Sequence, residues 1–439
     1  MTNATILITL VFSVLILSRK QLGTGLGLVI MSMLIWPEYL RVPFGLAEMS
    51  VPRITALFLL VKIFMMGRHR RVEYGAVDKI VVLVWVWTLF ANVMADASSS
   101  QMTQMIGRFF DTVLMYFIAR LSLTSIEDMK ATYVPLAITA LIMGGLGAYE
   151  AITTYSPYSN MISYRSWSWI NKPPESRYGF MRAQASTSVP IFFGMAMMLL
   201  AGWLWALKGY VNNIFFHFVV VLAAILASLS SMSSGPWIAC FMLIILRFYQ
   251  GREKLIKPSL YALIFLAILL EVISNRHFYN LIDYIALNSQ TAWYRTRLLE
   301  IGVANLHEYW LFGVGSEWPH HWAKQLDGRG HIDIVNHFLI VALQAGLPGM
   351  FLYICMHYLA LKHTIGIWKN SQEAAQKKLI FMLAITLIAL DASSMSVGLF
   401  GPPLLMSYLL IGAIMSHSSI KVVDDMPVEG DIFNEWKKG

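Results

Sequence analysis

The chain has 439 residues, of which 57% are hydrophobic and 13% charged, about half the charge of an ordinary soluble domain. Mean hydropathy is +0.60. This composition excludes a soluble multidomain enzyme and a disordered scaffold, because the apolar residues lie in blocks long enough to span a bilayer. Cys240 and Cys355 both fall inside such blocks, so they offer neither a disulfide framework nor a metal quartet. The net charge of +8 is no nucleic-acid signal until its location is known, and no nucleic-acid partner is expected.

In chain order, the apolar blocks are 4–18, 21–36, 53–67, 78–95, 108–124, 131–153, 189–207, 214–230, 235–249, 258–274, 336–361, 379–394 and 402–416. They predict an all-α, polytopic integral membrane protein with about 12–13 transmembrane helices. No Lys or Arg precedes the first run, so it reads as a retained anchor and not a signal peptide. The chain divides into N-terminal helices (1–153), a first long loop (154–188), central helices (189–274), a large loop (275–335), C-terminal helices (336–416) and a tail (417–439). Trp36, Tyr39, Trp203 and Trp205 near block ends read as interface belts.

Basic loops face the cytoplasm in most membrane proteins. Arg68 to Arg71, Arg252 to Lys257 and Lys369 to Lys378 all fall on one side of the proposed blocks, as do Arg19, Lys20 and the tail. The N-terminus is therefore expected outside and the tail inside. Both long loops are then extracytoplasmic. Their arginines run against the charge trend, which points to something anionic bound there.

The first long loop ends ESRYGFMRAQ (175–184), then STSVP (186–190). A Ser/Thr cluster before a proline reads as a helix start, and a helix N-terminus suits phosphate. Arg177 and Arg182 stand just ahead of it. Snorkelling to lipid headgroups is the equally weighted alternative. The large loop has a helical core, 291–310, with Leu299, Val303, Leu306 and Trp310 as an apolar stripe. Arg295 falls on that face and needs an anionic partner, whereas Arg297 pairs with Glu300 three residues on. Gly313-Val314-Gly315 reads as a turn. His320 and His321 read as solvated. His331, Asp333 and His337 lie closer to the next block, and no H-E-x-x-H pattern or Cys pair supports a metal site. Inside the blocks, Lys62, Asp111, Glu150, Glu271 and Asp391 are ionisable. Glu150, Glu271 and Asp391 lie near outer ends and suggest a wet, outward-facing cavity. For any one of them, an ion pair holding helices together is the stronger reading.

Three stretches carry a family resemblance. The first is YRTRLLE (294–300) followed by LFGVG (311–315). The second is NHFL (336–339) followed by QAGLPG (344–349). The third is RYGFMRAQ (177–184) with VPIFFG (189–194), and SSGPW (233–237) is a weaker echo. Together they resemble the O-antigen ligase/polymerase family of bacterial polysaccharide assembly, most closely its exopolysaccharide polymerase branch. They cover well under half of the chain, and their order, spacing and outer placement are more specific than any one motif.

The resemblance implies a GT-C-like, metal-independent membrane glycosyltransferase that needs no cofactor. It would use a polyprenyl-diphosphate-linked glycan as donor at the outer face of the inner membrane. By motif position, Arg182 and Arg295 correspond to the loop arginines that hold the diphosphate, with Arg177 assisting. Two departures stand out. Where the family often has His-Asn, this chain has Val335-Asn336, and where it often has His-Pro, this chain has Val189-Pro190. Val335 cannot activate a hydroxyl, so Asp333, His331 or His337 takes that role, or no side-chain base is needed. This favours a polymerase over a ligase.

The expected function is therefore polymerisation of lipid-linked repeat units. Arg182, Arg295 and Asp333 are the expected catalytic residues, with Arg177, Asn336, His337 and His331 on substrate. Membrane lipids, a lipid-linked acceptor, a chain-length regulator and a flippase are the expected partners. A ligase that transfers glycan to a lipid core is the first alternative. A transporter or flippase of the same pathway is the second, and the lack of an internal repeat or of matched Gly/Pro-broken blocks weighs against it.

Overall fold

The computed structural model describes residues 2–44, 47–95, 99–162, 176–273, 289–315, 318–323 and 334–416. The apolar blocks form helices, which satisfy their own backbone groups without water. The first half contains α1 (Thr2–Ser18), α2 (Leu22–Ile35), α3 (Val51–Met65), α4 (Ala76–Ala95), α5 (Ser99–Phe109), α6 (Met115–Ser122), α7 (Ile126–Ala131), α8 (Tyr133–Thr153) and the single turn α9 (Ser159–Ile162). The second half contains α10 (Pro190–Ala206), α11 (Ile214–Ser230), α12 (Ser234–Arg247), α13 (Ile256–Ile273), α14 (Ser289–Asn305), the single turn α15 (His320–Ala323), α16 (His337–Asn370), α17 (Ala374–Ser394) and α18 (Pro402–Ser416). Two short antiparallel ribbons complete it, β1 (Arg41–Phe44) with β2 (Ala47–Ser50), and β3 (Ser176–Arg177) with β4 (Phe180–Met181). The described chain is thus all-α in character. Four helical stretches, Ala76–Ala95, Ile126–Thr153, Pro190–Tyr210 and His337–Asn370, are long and apolar enough to cross a membrane.

Two helices differ from the simple blocks. The block expected at 108–124 is α5 and α6 joined by a π-helical turn, Phe110–Leu114. The block expected at 336–361 continues to Asn370 and breaks at Gly346, whose φ of 71° is left-handed, two residues before Pro348.

At the centre lies α10, in which every residue from Phe193 to Leu204 is buried. A helix that is apolar on all sides can be enclosed on all sides, and α8, α11, α12, α17 and α18 surround it. Trp203 is consequently a core residue at 2% exposure, not part of an interface belt. Gly202 permits the closest approach, since a Cβ there would lie 2.3 Å from Thr386 Oγ1.

The basic loops gather at one end of the bundle. Lys62 Nζ donates to the carbonyls of Ile16, at 2.8 Å, and Arg19. Arg68 pairs with Asp128 at 3.5 Å, Lys130 sits 5.0 Å from the Tyr210 ring, Gly209 lies against Ala375, and Gln250 Nε2 donates to Lys378 O at 3.2 Å. The expected single side for these loops is thereby met by physical contact.

The ionisable residues of the blocks mostly have protein partners. Arg53 grips Asp111 through two hydrogen bonds of 2.8 and 2.7 Å. Asp391 lies 2.7 Å from His357 Nδ1. A further buried group joins α4 to α6: Arg120 and Tyr116 donate to Asp78 Oδ1 at 3.3 and 2.7 Å. Arg120 and Asp78 are 1% and 2% exposed, and the additional hydrogen bonds they make are what a buried pair requires. The side chain of Glu271 lies outside the described residues.

Candidate functional site

The end of the bundle opposite the basic loops carries the candidate site. Its foundation is the turn between α11 and α12, Ser231 to Ser234. Met232 there has a left-handed φ of 45°, uncommon for a residue with a side chain. Gly194 of α10 packs directly beneath, where a Cβ would lie 2.4 Å from Ser231 Oγ. Ser393 Oγ of α17 donates to Gly235 O at 2.9 Å. Two neighbouring helices, α10 and α17, therefore hold the turn.

Two arginines reach it from the first long loop. Tyr178 and Gly179 have φ of 52° and 83°, the paired left-handed residues of a two-residue hairpin turn. Arg177 pairs with Phe180 across that hairpin. Side chains alternate along a strand, so Arg182, two residues beyond Phe180, shares the face of Arg177. Arg177 Nη1 donates to Met232 O at 2.9 Å, and Arg182 Nη2 to Ser233 Oγ at 2.8 Å.

The segment after Arg182 is pinned in place. Ala183 N donates to Ser230 O at 3.0 Å. The amides of Gln184 and Ala185 both donate to Glu150 Oε2 at 2.8 Å, and Ser156 Oγ donates to Oε1 at 2.6 Å. Glu150 is thus a fully buried loop anchor and does not line a wet cavity.

The third arginine comes from the large loop. Arg295 of α14 donates through Nη1 to Ser234 Oγ at 3.1 Å. Its expected placement on a covered face holds, but the covering residues differ. Leu298, Ile301 and Gly302 are buried, whereas Val303 and Trp310 are 56% and 52% exposed. Leu298 and Gly302 lie one and two turns beyond Arg295 on the same side of the helix. Arg297 instead faces out and pairs with Glu300 at 2.8 Å.

Three guanidinium groups therefore meet on Met232, Ser233 and Ser234, where the turn enters α12. Burial, then the charges of Arg177 and Arg182, lower the Arg295 pKa to about 10. Among the described residues no carboxylate forms an ion pair with Arg177 or Arg295. The N-terminus of α12 adds partial positive charge. Ser233 Oγ donates to Ser231 O at 2.9 Å while accepting from Arg182, so this residue before α12 makes no side-chain cap. Such a cluster is complementary to a multiply charged anion.

The remaining expected residues separate. Asn336 caps α16, its Oδ1 accepting from Leu339 N at 3.0 Å. It lines a cavity of about 30 Å3 with Arg295, Val335 and Ser396. His337 lines a different cavity of about 90 Å3, with Nδ1 accepting from Leu399 N at 3.2 Å. His331 and Asp333 lie outside the described residues. His321 is exposed. Among the described residues, no three His, Cys, Asp or Glu side chains group as metal ligands.

Two of the resembling stretches dock on each other. Val314 N donates to Leu343 O, and Leu347 N to Trp310 O, both at 2.7 Å. Gly313 and Gly346 have φ of 73° and 71°, and a Cβ on Gly346 would lie 2.0 Å from Leu311 O. The helix break at Gly346 is therefore where the large loop is fastened.

Sequence reasoning missed the hydroxyl-rich seat as a partner of the arginines. The run SSMSSG (230–235) between two apolar blocks was its only signal. It also missed Glu38, which accepts from Ser188 Oγ at 3.3 Å. Burial, then Asp111, push the Glu38 carboxyl up to about 7 against the pull of Ser188, Arg41 and Arg53. A comparison with protein-family models finds no match, and a search of curated proteins finds none.

Proposed function

We propose that this chain is a GT-C-like inner-membrane polymerase that joins polyprenyl-diphosphate-linked oligosaccharides into a polysaccharide at the periplasmic face. In this reading the helices make about 12–13 spans, the arginine end faces the periplasm and the basic loops face the cytoplasm. The observation that carries it is the meeting of Arg177, Arg182 and Arg295 on Met232, Ser233 and Ser234.

The proposed reaction is substitution at an anomeric carbon. A hydroxyl at the non-reducing end of one lipid-linked glycan attacks the anomeric carbon of another. The new glycosidic bond forms as the bond to polyprenyl diphosphate breaks. The leaving diphosphate gains charge in the transition state, and fixed guanidinium donors stabilise it without reorganising. Arg182 and Arg295 supply most of that stabilisation and Arg177 assists. An anion also relieves the repulsion among the three cations. Asn336, in the cavity it shares with Arg295, orients the substrate, and Asp333 takes the acceptor proton.

Deletion of the chain tests the reading. A polymerase deletion leaves single repeat units on polyprenyl diphosphate and no polymer. Accumulation of full-length polymer on that lipid would instead indicate a ligase, and an unchanged lipid-linked pool would reject both.

A further inference from the structure

A second cavity, of about 90 Å3, lies between α4, α5, α16 and α18, with Arg108, His337, Gln344, Tyr353, Tyr408 and Trp85 among the residues that line it. Its polar groups are biased towards donors. Arg108 Nη2 donates to Gln344 Oε1 at 2.7 Å, which leaves the amide nitrogen of Gln344 as a further donor. His337 accepts at Nδ1 from Leu399 N, so the neutral ring carries its proton at Nε2. Tyr353 and Tyr408 add phenol groups.

Among the described residues the nearest carboxylate charge acting on Arg108 is that of Asp111, which does not line the cavity. None of the residues lining the chamber is acidic, and no described carboxylate forms an ion pair with Arg108. Asp111, on the next turn, is held by both hydrogen bonds of Arg53. A partly buried guanidinium without a carboxylate hydrogen-bonded to it favours an incoming oxyanion. The aromatic rings beside it offer apolar faces of the kind that cover a sugar ring.

We propose that this chamber is a second binding subsite, for an oxyanion carried on a sugar, either a carboxylate or a phosphate ester. It would hold an acidic residue of a glycan at His337, the residue after Asn336, in a cavity distinct from the one that Arg295 and Asn336 line. The glycan as carrier rests on the polymerase reading, whereas the anion chemistry rests on the chamber alone.

The test uses the full chain in lipid nanodiscs, titrated with glucuronate, glucose 6-phosphate, inorganic phosphate and glucose by saturation-transfer NMR. Saturable binding of glucuronate or glucose 6-phosphate is expected, with glucose clearly weaker. The preferred sugar identifies the oxyanion as carboxylate or phosphate. Arg108→Gln should weaken that binding about tenfold, the size expected for one charge-assisted hydrogen bond. Tyr408→Phe, which keeps the ring, should weaken it by a smaller factor, and Arg297→Gln, at a surface residue paired with Glu300, should leave it unchanged. Equal affinity in wild type, Arg108→Gln and Tyr408→Phe would overturn the proposal, as would glucose binding as tightly as glucuronate, or inorganic phosphate as the sole ligand. Full polymer output from Arg295→Gln together with Arg108-dependent sugar binding would sink the polymerase reading and leave the chamber standing.

Discussion

Arg182 Nη2 donates to Ser233 Oγ at 2.8 Å, so a side chain 51 positions earlier is fastened to the residue that opens α12. Arg295 reaches the neighbouring hydroxyl, Ser234 Oγ, from the other long loop. Adjacent serines thereby set the spacing of two guanidiniums that sequence separates by more than a hundred residues. Ser233→Ala and Ser234→Ala should each reduce polymer output several-fold at normal protein level, because the arginines keep their charge but lose their aim. Output indistinguishable from wild type in the double variant would show that the hydroxyls do not position them.

Glu150 should behave as an anchor. Glu150→Leu leaves the amides of Gln184 and Ala185 buried without an acceptor, at about 1–3 kcal/mol each. Glu150→Gln retains one acceptor oxygen and should be milder. Thermal unfolding of the two purified variants in one detergent gives the comparison. A Leu variant as stable as the Gln variant would argue against anchoring.

Two glycines separate steric need from backbone need. Gly67 has φ of 64° with no neighbour within 4 Å of a Cβ, whereas Gly346 combines φ of 71° with a backbone oxygen at 2.0 Å. Gly67→Ala should cost only the left-handed strain, about 1–2 kcal/mol. Gly346→Ala should displace the large loop and abolish output. Similar melting temperatures for the two variants would contradict the docking of Trp310 to Gly315 on the break.

Much of this architecture is legible in the sequence because bilayer-length apolar runs have few alternatives to helix. Arg177, Arg182 and Arg295 are also legible, since they stand in the two long loops apart from the basic loops. The covered face of α14 is not. The helix ends at Asn305, short of the expected 310, so Trp310 is not on it, and a helix can expose an apolar residue such as Val303, so apolarity alone does not say which side meets protein. Pairings between distant blocks are equally hidden. Asp78 and Arg120 belong to separate blocks until folding brings them to 3.3 Å, and the segment Ser231 to Ser234 looks like a polar connection until three arginines land on it.

Glu38 supplies a pH dependence. Its carboxyl is raised from 4.5 to about 7 in the folded chain, so the folded state holds a proton that the unfolded state has lost between those values. Stability contributed by this group is fully present below pH 4.5 and is lost as pH rises towards about 7. Glu38→Gln should remove that component, so its melting temperature should fall less than that of wild type across the interval. Parallel curves for the two proteins would show that Glu38 is not the group responsible.

The most direct test of the proposed diphosphate site compares Arg295→Lys, Arg295→Ala and Arg297→Ala in a deletion strain, with polymer measured per unit of membrane protein. Arg295 donates from a planar fork that a lysine ammonium does not reproduce, while Arg297 only pairs with Glu300 at the surface. The expected result is near-complete loss in both Arg295 variants and near-normal output in Arg297→Ala. Full output from Arg295→Lys would contradict the account, because charge without geometry would then suffice.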